Sequence, residues 1–545
     1  MRKDSFLRGA FVATLYIIAG KVMGVLYVIP FYTIIGERGG ALYSYAYSTY
    51  ELFLTLSTVG VPLAVSKIVS EYNTRGFYKA QNTVFRIAKI ITTTTAFIST
   101  LVLFFCAPII SKHIVGDVSG VTQPPDVTFV IRVVSTALLF VAVLGSTRGY
   151  LQGNHYISVS SSSQILEQLV RVSFIIFGSY ISINVLKLSS TYAVGVAVFG
   201  ATVGAIVSYF YLRCRILKEK DLKFADYKLT KEEKNITNKI IVKKLILTTI
   251  PFVVLNIISS CYSFVNSLTV VKTLSSKCGF SGVQSESILA IISNWGFKLN
   301  SIVSSVAGGV VVNVLPNLTK YLVLENLHQI REKINKTLQI VLFMTIPMAT
   351  GLSLLADPVW NIFYGNKSEF GPSVFSFSVF VSIFSSVELN VNVIMHSLGK
   401  FKAVYFACFL GFAINATLNI PLMILFGKLG LGAYNGASFS TILGLTISAS
   451  TSLISLKKSY NISYKKTIKE IFISLIATSL MTSLILVFNK VLPIKNENKV
   501  FSMLIVLFYF LLGALVYFVV TYKTKSIYRI FGKNVFKKIR SIIKI

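Results

Sequence analysis

The chain has 545 residues, of which 54% are hydrophobic and 13% charged, and it carries a formal net charge of +33. A soluble domain holds about 25% charged residues, so this balance excludes a water-soluble globular protein. Weak strand alternation and long Leu/Ile/Val/Phe runs also exclude an outer-membrane barrel. In a soluble chain the basic excess would point to nucleic acid. Here Lys and Arg fall mostly in alternate loops between apolar runs, the positive-inside pattern of a membrane protein, and no nucleic-acid partner is expected.

The apolar runs predict fourteen spans of about 20 residues each. They lie near 10–35, 42–65, 88–111, 128–149, 156–184, 190–213, 245–271, 286–312, 337–356, 372–397, 402–426, 430–455, 468–489 and 499–521. Ala10–Ile35 is too long for a signal-peptide core and lacks a small-residue cleavage pattern, so it reads as the first span. The Lys/Arg asymmetry places both termini in the cytoplasm. The inner loop Ser66–Ile87 carries Lys67, Arg75, Lys79 and Arg86 between apolar positions and reads as an interfacial amphipathic helix. Arg213–Lys244 is the most charged stretch, and the tail after Thr521 mixes basic residues with Phe531, Phe536 and Ile539, as expected at an anionic leaflet.

An internal repeat organises these spans. Lys67 pairs with Lys320, Pro108 with Pro358, Gly116 with Gly365, Gly153 with Gly399 and Gly195 with Gly436, at offsets that fall steadily along the chain. The fold class is therefore an all-α polytopic membrane protein of two six-helix lobes plus two C-terminal helices. The expected divisions are 1–215 for the N-terminal lobe, 216–244 for a charged linker and 245–456 for the C-terminal lobe. Residues 457–522 hold the last two helices and 523–545 a basic tail. Six spans per lobe give both lobes one topology, related by an axis along the membrane normal.

Seven charged residues lie more than two residues inside the span ends: Lys21, Glu51, Arg132, Glu167, Arg171, Lys298 and Glu388. Such residues are costly in a bilayer and normally face a bundle interior or a wet cavity. The hairpin RGYLQG leads into span five, where Glu167 and Arg171 sit at i and i+4 on one helix face. Such a pair serves either a functional cavity or simply helix packing by self-neutralisation. Lys21 is too central in span one for simple snorkelling; Arg171 and Lys298 lie at similar depth in spans five and eight. Facing one cavity, these cations would bind an anion, with phosphate the natural candidate, while Glu167 and Glu388 would hold them or titrate. Arg132, near the outer end of span four, fits interfacial anchoring as well as function. Separate ion pairs holding helices together are the alternative for the whole set.

Gly195, Gly200 and Gly204 in span six suggest close helix packing. The four histidines are scattered, and the five cysteines show no paired or metal-ligand spacing. There is no Walker A loop, zinc motif or Ser/His/Asp pattern. A non-enzymatic transporter without cofactor or metal is expected.

The opening LRGAFVATLYIIAGKVMGVLYVIPF, the segment GVPLAVSKIVSEY, the hairpin RGYLQG with SQILEQLVR, and the stretch LGKFKAVYFACFLGFAINATLNIPL resemble the polysaccharide-biosynthesis branch of the MOP exporter superfamily. Within it, the likeness is closest to the MurJ-type lipid II flippases of Firmicutes and the related stage V sporulation protein B group. The resemblance implies a MATE/MurJ-like pair of lobes around a cationic cavity, with alternating access. It also implies export of a polyprenyl-diphosphate-linked cell-wall precursor across the bacterial plasma membrane, for peptidoglycan synthesis alongside the cell-wall machinery. The two extra C-terminal helices would form a groove for the lipid tail. Lys21 stands where such proteins commonly have a cavity arginine, and Arg132, Glu167 and Arg171 also fall at family positions. Lys298 stands about one turn from where an arginine is expected near Trp295, and Glu51 departs from the pattern. A flippase for a teichoic-acid, capsule or O-antigen-type unit is the nearest alternative. A cation-coupled drug exporter would need an acidic cavity, which three central cations oppose.

Overall fold

A computed structural model gives the fold, and it describes residues 16, 19–20, 22–24, 26–58, 60–115, 122–218, 233, 235–305, 318, 321–322, 325–365, 368–491 and 498–532. All regular structure among them is helical. Eleven of the described helices are long and apolar enough to cross a bilayer. Counting the pair Asn238–Pro251 and Asn256–Lys277, bent by 45°, as one span makes twelve. These correspond to expected spans two to seven and nine to fourteen; spans one and eight run into residues outside those described. The bend follows Pro251, whose missing N–H and bulky ring break the helical ladder.

The chain packs as two compact units, Met1–Ala290 and Ile291–Ile545. The expected lobe boundary lies at 216–244. The packing boundary lies at residue 290, because the first span after the linker packs with the first unit.

The first unit comprises α1 (Val28–Thr58), α2 (Val61–Thr74), α3 (Tyr78–Val115), α4 (Pro124–Ser135), α5 (Ala137–Gly153), α6 (Ile157–Ser173), α7 (Ser190–Lys218), α8 (Asn238–Lys277) and α9 (Gly282–Ala290). α1 is interrupted at Gly36, whose φ of 67° favours a residue without Cβ. α8 packs along α1, with Ser267 and Ser48 hydroxyls 2.9 Å apart and Ser260 and Thr55 hydroxyls 3.2 Å apart. Such hydroxyl pairs satisfy polar groups where the bilayer offers no water.

The segment read as an interfacial helix is helical but does not stand apart. Its first half is α2, which turns at Arg75–Phe77 into the start of α3. Val61, Val65, Ile68, Val69 and Tyr72 of α2 are buried in a core shared with Val84 and Ala88 of α3, Leu144 and Leu151 of α5, Ala205 of α7 and Leu245 of α8. The alternation of basic and apolar positions matches an amphipathic surface helix, yet here the apolar face meets protein. Polar ties reinforce this end. Lys244 Nζ lies 2.7 Å from the Glu71 carboxylate. The linker residue Glu233 accepts the Ala80 N–H at 2.8 Å, capping α3.

The second unit runs from a π-helical turn, Ile291–Trp295, and helix 296–305 to α10 (Leu327–Leu354), α11 (Ala356–Tyr364), α12 (Gly371–Ser378) and α13 (Val381–Ser397). It continues through α14 (Phe401–Lys428), α15 (Ala433–Tyr460), α16 (Lys465–Val491), α17 (Lys499–Lys523) and α18 (Ser526–Phe531). α14 and α15 cross closely, Gly436 lying against the Leu422 backbone. The two C-terminal spans pack on α10 and α11. Tyr517 donates to the Phe343 carbonyl at 2.8 Å, and Asn361 Nδ2 donates to Ser502 at 2.8 Å. Their other faces expose Phe472, Leu480, Leu504, Leu507 and Leu511, as lipid-facing helices do. Arg529 Nε, 2.5 Å from buried Glu470, ties α18 back to α16.

The close approach of α2 to α5 depends on one missing Cβ. A methyl group at Gly149 would run into the Pro62 backbone, whereas at Gly145 it would meet only the edge of the Pro62 ring. Gly149→Ala is expected to destabilise the chain by about 1–3 kcal/mol, as overpacking does, and Gly145→Ala by clearly less. Thermal unfolding of both variants in detergent checks the difference.

Candidate functional site

The charged stretch of span five is held by the helix beside it. Gly204 of α7 lies against the Glu167 carbonyl and Gly200 against the Arg171 carbonyl, so these backbones touch where larger residues would keep them apart. Ser208 adds a 2.8 Å hydrogen bond to the Ser163 carbonyl. Beyond Ser173 the span loosens into two π-helical turns, Phe174–Gly178 and Ile181–Val185, a geometry that recurs at functional positions.

Glu167 and Arg171 do not pair with each other as their i,i+4 spacing led us to expect. The Glu167 carboxylate lies 2.8 Å from the Arg148 guanidinium, and Arg148 Nε donates to Ser163 at 2.8 Å. Arg148 opens the RGYLQG stretch, which reads as a hairpin at the very end of span four. α5 instead runs on to Gly153, which lifts Arg148 more than a turn into the helix, opposite Glu167. A close carboxylate–guanidinium ion pair between adjacent helices thus takes the place of the intrahelical pairing.

Arg171 is left to aromatic partners. Its guanidinium stands 5.4 Å from the Tyr47 ring centroid. Tyr47 stacks on Tyr43 at 5.4 Å and leans on Tyr50 at 5.7 Å. Among the described residues no carboxylate makes an ion pair with Arg171. A cation over a desolvated phenol ring gains about 2 kcal/mol, while its hydrogen-bond donors remain suited to an anion. The tyrosines were not among the residues singled out from the sequence. Their signal was there in YSYAYSTYE, where Tyr43, Tyr47 and Tyr50 fall at helical spacing. Glu51, one turn beyond Tyr47, has an exposed side chain on the same helix.

The remaining expected site residues lie elsewhere. Lys21 is outside the described residues. Arg132 is not drawn into the Arg171 cluster: its Nε donates to the Phe104 carbonyl at 3.3 Å and its guanidinium lies 5.1 Å from the Phe104 ring. Lys298, in the second unit, is half-buried one turn past the π-helical turn that buries Trp295. Tyr364 fixes that turn through a 2.9 Å hydrogen bond to the Trp295 carbonyl. Glu388 is buried in the second unit among neutral donors, with Ser448 Oγ at 2.8 Å and Cys408 Sγ at 3.7 Å. No disulfide joins the five cysteines, and among the described residues no His/Cys/Asp/Glu cluster could hold a metal ion.

The pairing scheme has a direct consequence. Arg148→Gln removes the partner of Glu167, which is then one turn from Arg171 and free to neutralise it. Breaking such a pair costs about 3 kcal/mol. We expect lower thermal stability and lower transport in Arg148→Gln, and recovery of both in the Arg148→Gln/Glu167→Gln double variant. Melting curves together with a cellular transport assay read both effects.

Comparison with known proteins agrees with this architecture. Residues 6–312 match the polysaccharide biosynthesis protein family. Lipid II flippase MurJ of Bacillus subtilis (strain 168) is 29% identical over 543 residues, 97% of each chain. Among solved structures, lipid II flippase MurJ in an inward closed conformation superposes with a TM-score of 0.63 at 16% identity, covering 95% of this chain and 99% of that one. An inward-facing multidrug resistance MATE family transporter of the MOP superfamily gives 0.59 at 12% identity, covering 81% and 98%. With its many apolar helices and this fold, the chain belongs to the polysaccharide biosynthesis protein family, as a multi-pass membrane transporter of the MurJ type rather than an enzyme.

Proposed function

We propose that the chain is a flippase that carries lipid II, the polyprenyl-diphosphate-linked peptidoglycan precursor, from the inner to the outer leaflet of the bacterial plasma membrane. The observation that carries this reading is the end-to-end similarity to a lipid II flippase, 97% of each chain. Arg171 supports it chemically: an intramembrane cation whose neighbouring acid, Glu167, is already engaged by Arg148. Arg171 would bind the diphosphate; Lys21 and Lys298, read from the sequence, are further candidate cations. Guanidinium and ammonium groups are the natural ligands of phosphate oxygens in a site sheltered from water.

In this reading the two lobes alternate access to the headgroup while the polyprenyl tail stays in lipid beside α16 and α17. In the same reading both termini lie in the cytoplasm, the topology that the Lys/Arg asymmetry favours. No chemical step is needed. An inside-negative potential drives an anionic headgroup outward with about 2.3 kcal/mol per charge per 100 mV. Glu388, buried among Ser448 and Cys408 rather than beside a cation, is assigned to proton coupling in place of holding the cavity cations.

Complementation tests the proposal. In a Gram-positive host depleted of its lipid II flippase, this chain should restore growth and lipid II accessibility at the outer leaflet. Arg171→Gln should abolish rescue at unchanged membrane abundance, and Arg171→Lys should restore part of it. Failure of the wild-type chain to rescue, with the protein present in the membrane, would redirect the substrate to a teichoic-acid or capsule precursor. Full rescue by Arg171→Gln would remove Arg171 from the mechanism.

A further inference from the structure

One cationic cleft plays no part in this scheme. It lies where the end of α3 meets the start of α4, at the opposite end of the α4–α5 span from the hairpin that carries Arg148. It is an open cleft of about 570 Å³, with Pro108, Ser111, Lys112, Pro124, Thr128 and Arg132 on its walls.

The cleft originates in one proline. Pro108, inside α3, has no N–H, so the Phe104 carbonyl four residues earlier loses its helical donor. Arg132 of α4 supplies the replacement, its Nε donating to that oxygen at 3.3 Å while the guanidinium lies over the Phe104 ring at 5.1 Å. This fixes the arginine at its base and ring face and leaves its two terminal nitrogens for the cleft. Lys112 stands one turn beyond Pro108 on the same helix. The floor is pinned by the Ser111 and Thr128 hydroxyls, 2.6 Å apart.

The nearest acid of α4 is occupied. Asp126 takes the Gln123 N–H at 3.2 Å and the Thr191 hydroxyl at 3.0 Å. Among the described residues neither Lys112 nor Arg132 makes an ion pair. The N-terminal turn of the 12-residue helix α4, opening on Pro124, adds its own positive end. Below the cations, α3 presents an exposed apolar face, with Phe105 69% and Ile109 62% accessible. Two cations capping a lipid-facing apolar stripe match an amphiphile with a phosphate head and acyl chains.

We propose that this cleft binds the phosphate headgroup of an anionic membrane phospholipid, with Arg132 as the bidentate ligand and Lys112 as the second charge, and the acyl chains lying on Phe105 and Ile109. The site serves a lipid of the surrounding bilayer, so its test is binding and not flipping.

The purified full-length chain is titrated in detergent with phosphatidylglycerol and, separately, with phosphatidylcholine of the same acyl chains, with occupancy read by native mass spectrometry. Phosphatidylglycerol should bind preferentially. Lys112→Gln/Arg132→Gln should weaken it at least five-fold, Arg132→Lys should fall between, and Lys187→Gln, which removes one charge elsewhere on the surface, should change nothing. Arg132→Lys keeps the test valid if the double variant fails to fold. Unchanged binding in the double variant, or an equal loss in Lys187→Gln, would overturn the site. Competition by glycerol phosphate or inorganic phosphate at matching concentration would show a free-anion site and overturn the lipid assignment.

Discussion

The ion pair between Arg148 and Glu167 organises the first unit's polar interior. It joins α5 to α6 just inside the hairpin that connects them, at 2.8 Å and with the Arg148 Nε also bonded to Ser163. A carboxylate in a bilayer must be neutralised or paired. By taking that role from outside its own helix, Arg148 frees Arg171 to sit on the tyrosine ladder of α1. The Arg171 charge is therefore left without a carboxylate partner by a pairing that does not include it. Were Glu167 to turn one helical turn along its own face, the same residues would give a silent, self-neutralised helix.

Backbone contacts make this arrangement possible. Gly200 and Gly204 bring α7 against the carbonyls of Arg171 and Glu167, and Gly149 brings α5 against Pro62. In a membrane, helices gain nothing from burying apolar surface away from lipid tails, so close packing and hydrogen bonds carry the association. The Ser48–Ser267 and Thr55–Ser260 pairs between α1 and α8 belong to the same economy. Pro108 shows the converse: a helix defect leaves a carbonyl without its donor, and a neighbouring arginine supplies one.

Much of the fold was legible because a bilayer imposes simple rules. Apolar runs of spanning length, Lys and Arg in alternate loops, and paired landmarks along the repeat predict an all-helical polytopic chain, and spans two to seven and nine to fourteen have helical counterparts. The segment after Ser66 was harder. Its amphipathic pattern says that one face is apolar, but not whether that face meets lipid or protein; in the fold it meets the core around Leu144 and Leu245. The division into packed units was likewise hidden, since it depends on α8 preferring α1 as its neighbour.

The candidate site divides in the same way. Sequence alone determined that charges lie within the spans and that Glu167 and Arg171 share a helix face, because helical periodicity and hydropathy are local properties. It also carried the tyrosine spacing of α1. Which charge pairs with which was decided by tertiary structure. Arg148, Glu167, Arg171 and Tyr47 come from three helices, and their meeting depends on how far α5 extends and how closely α7 lets α6 approach. Arg132 was separated from Arg171 by the same means, drawn instead to a carbonyl that a proline on another helix had left open. Interhelical distances of a few ångströms select among several acceptable pairings, and no local pattern encodes them.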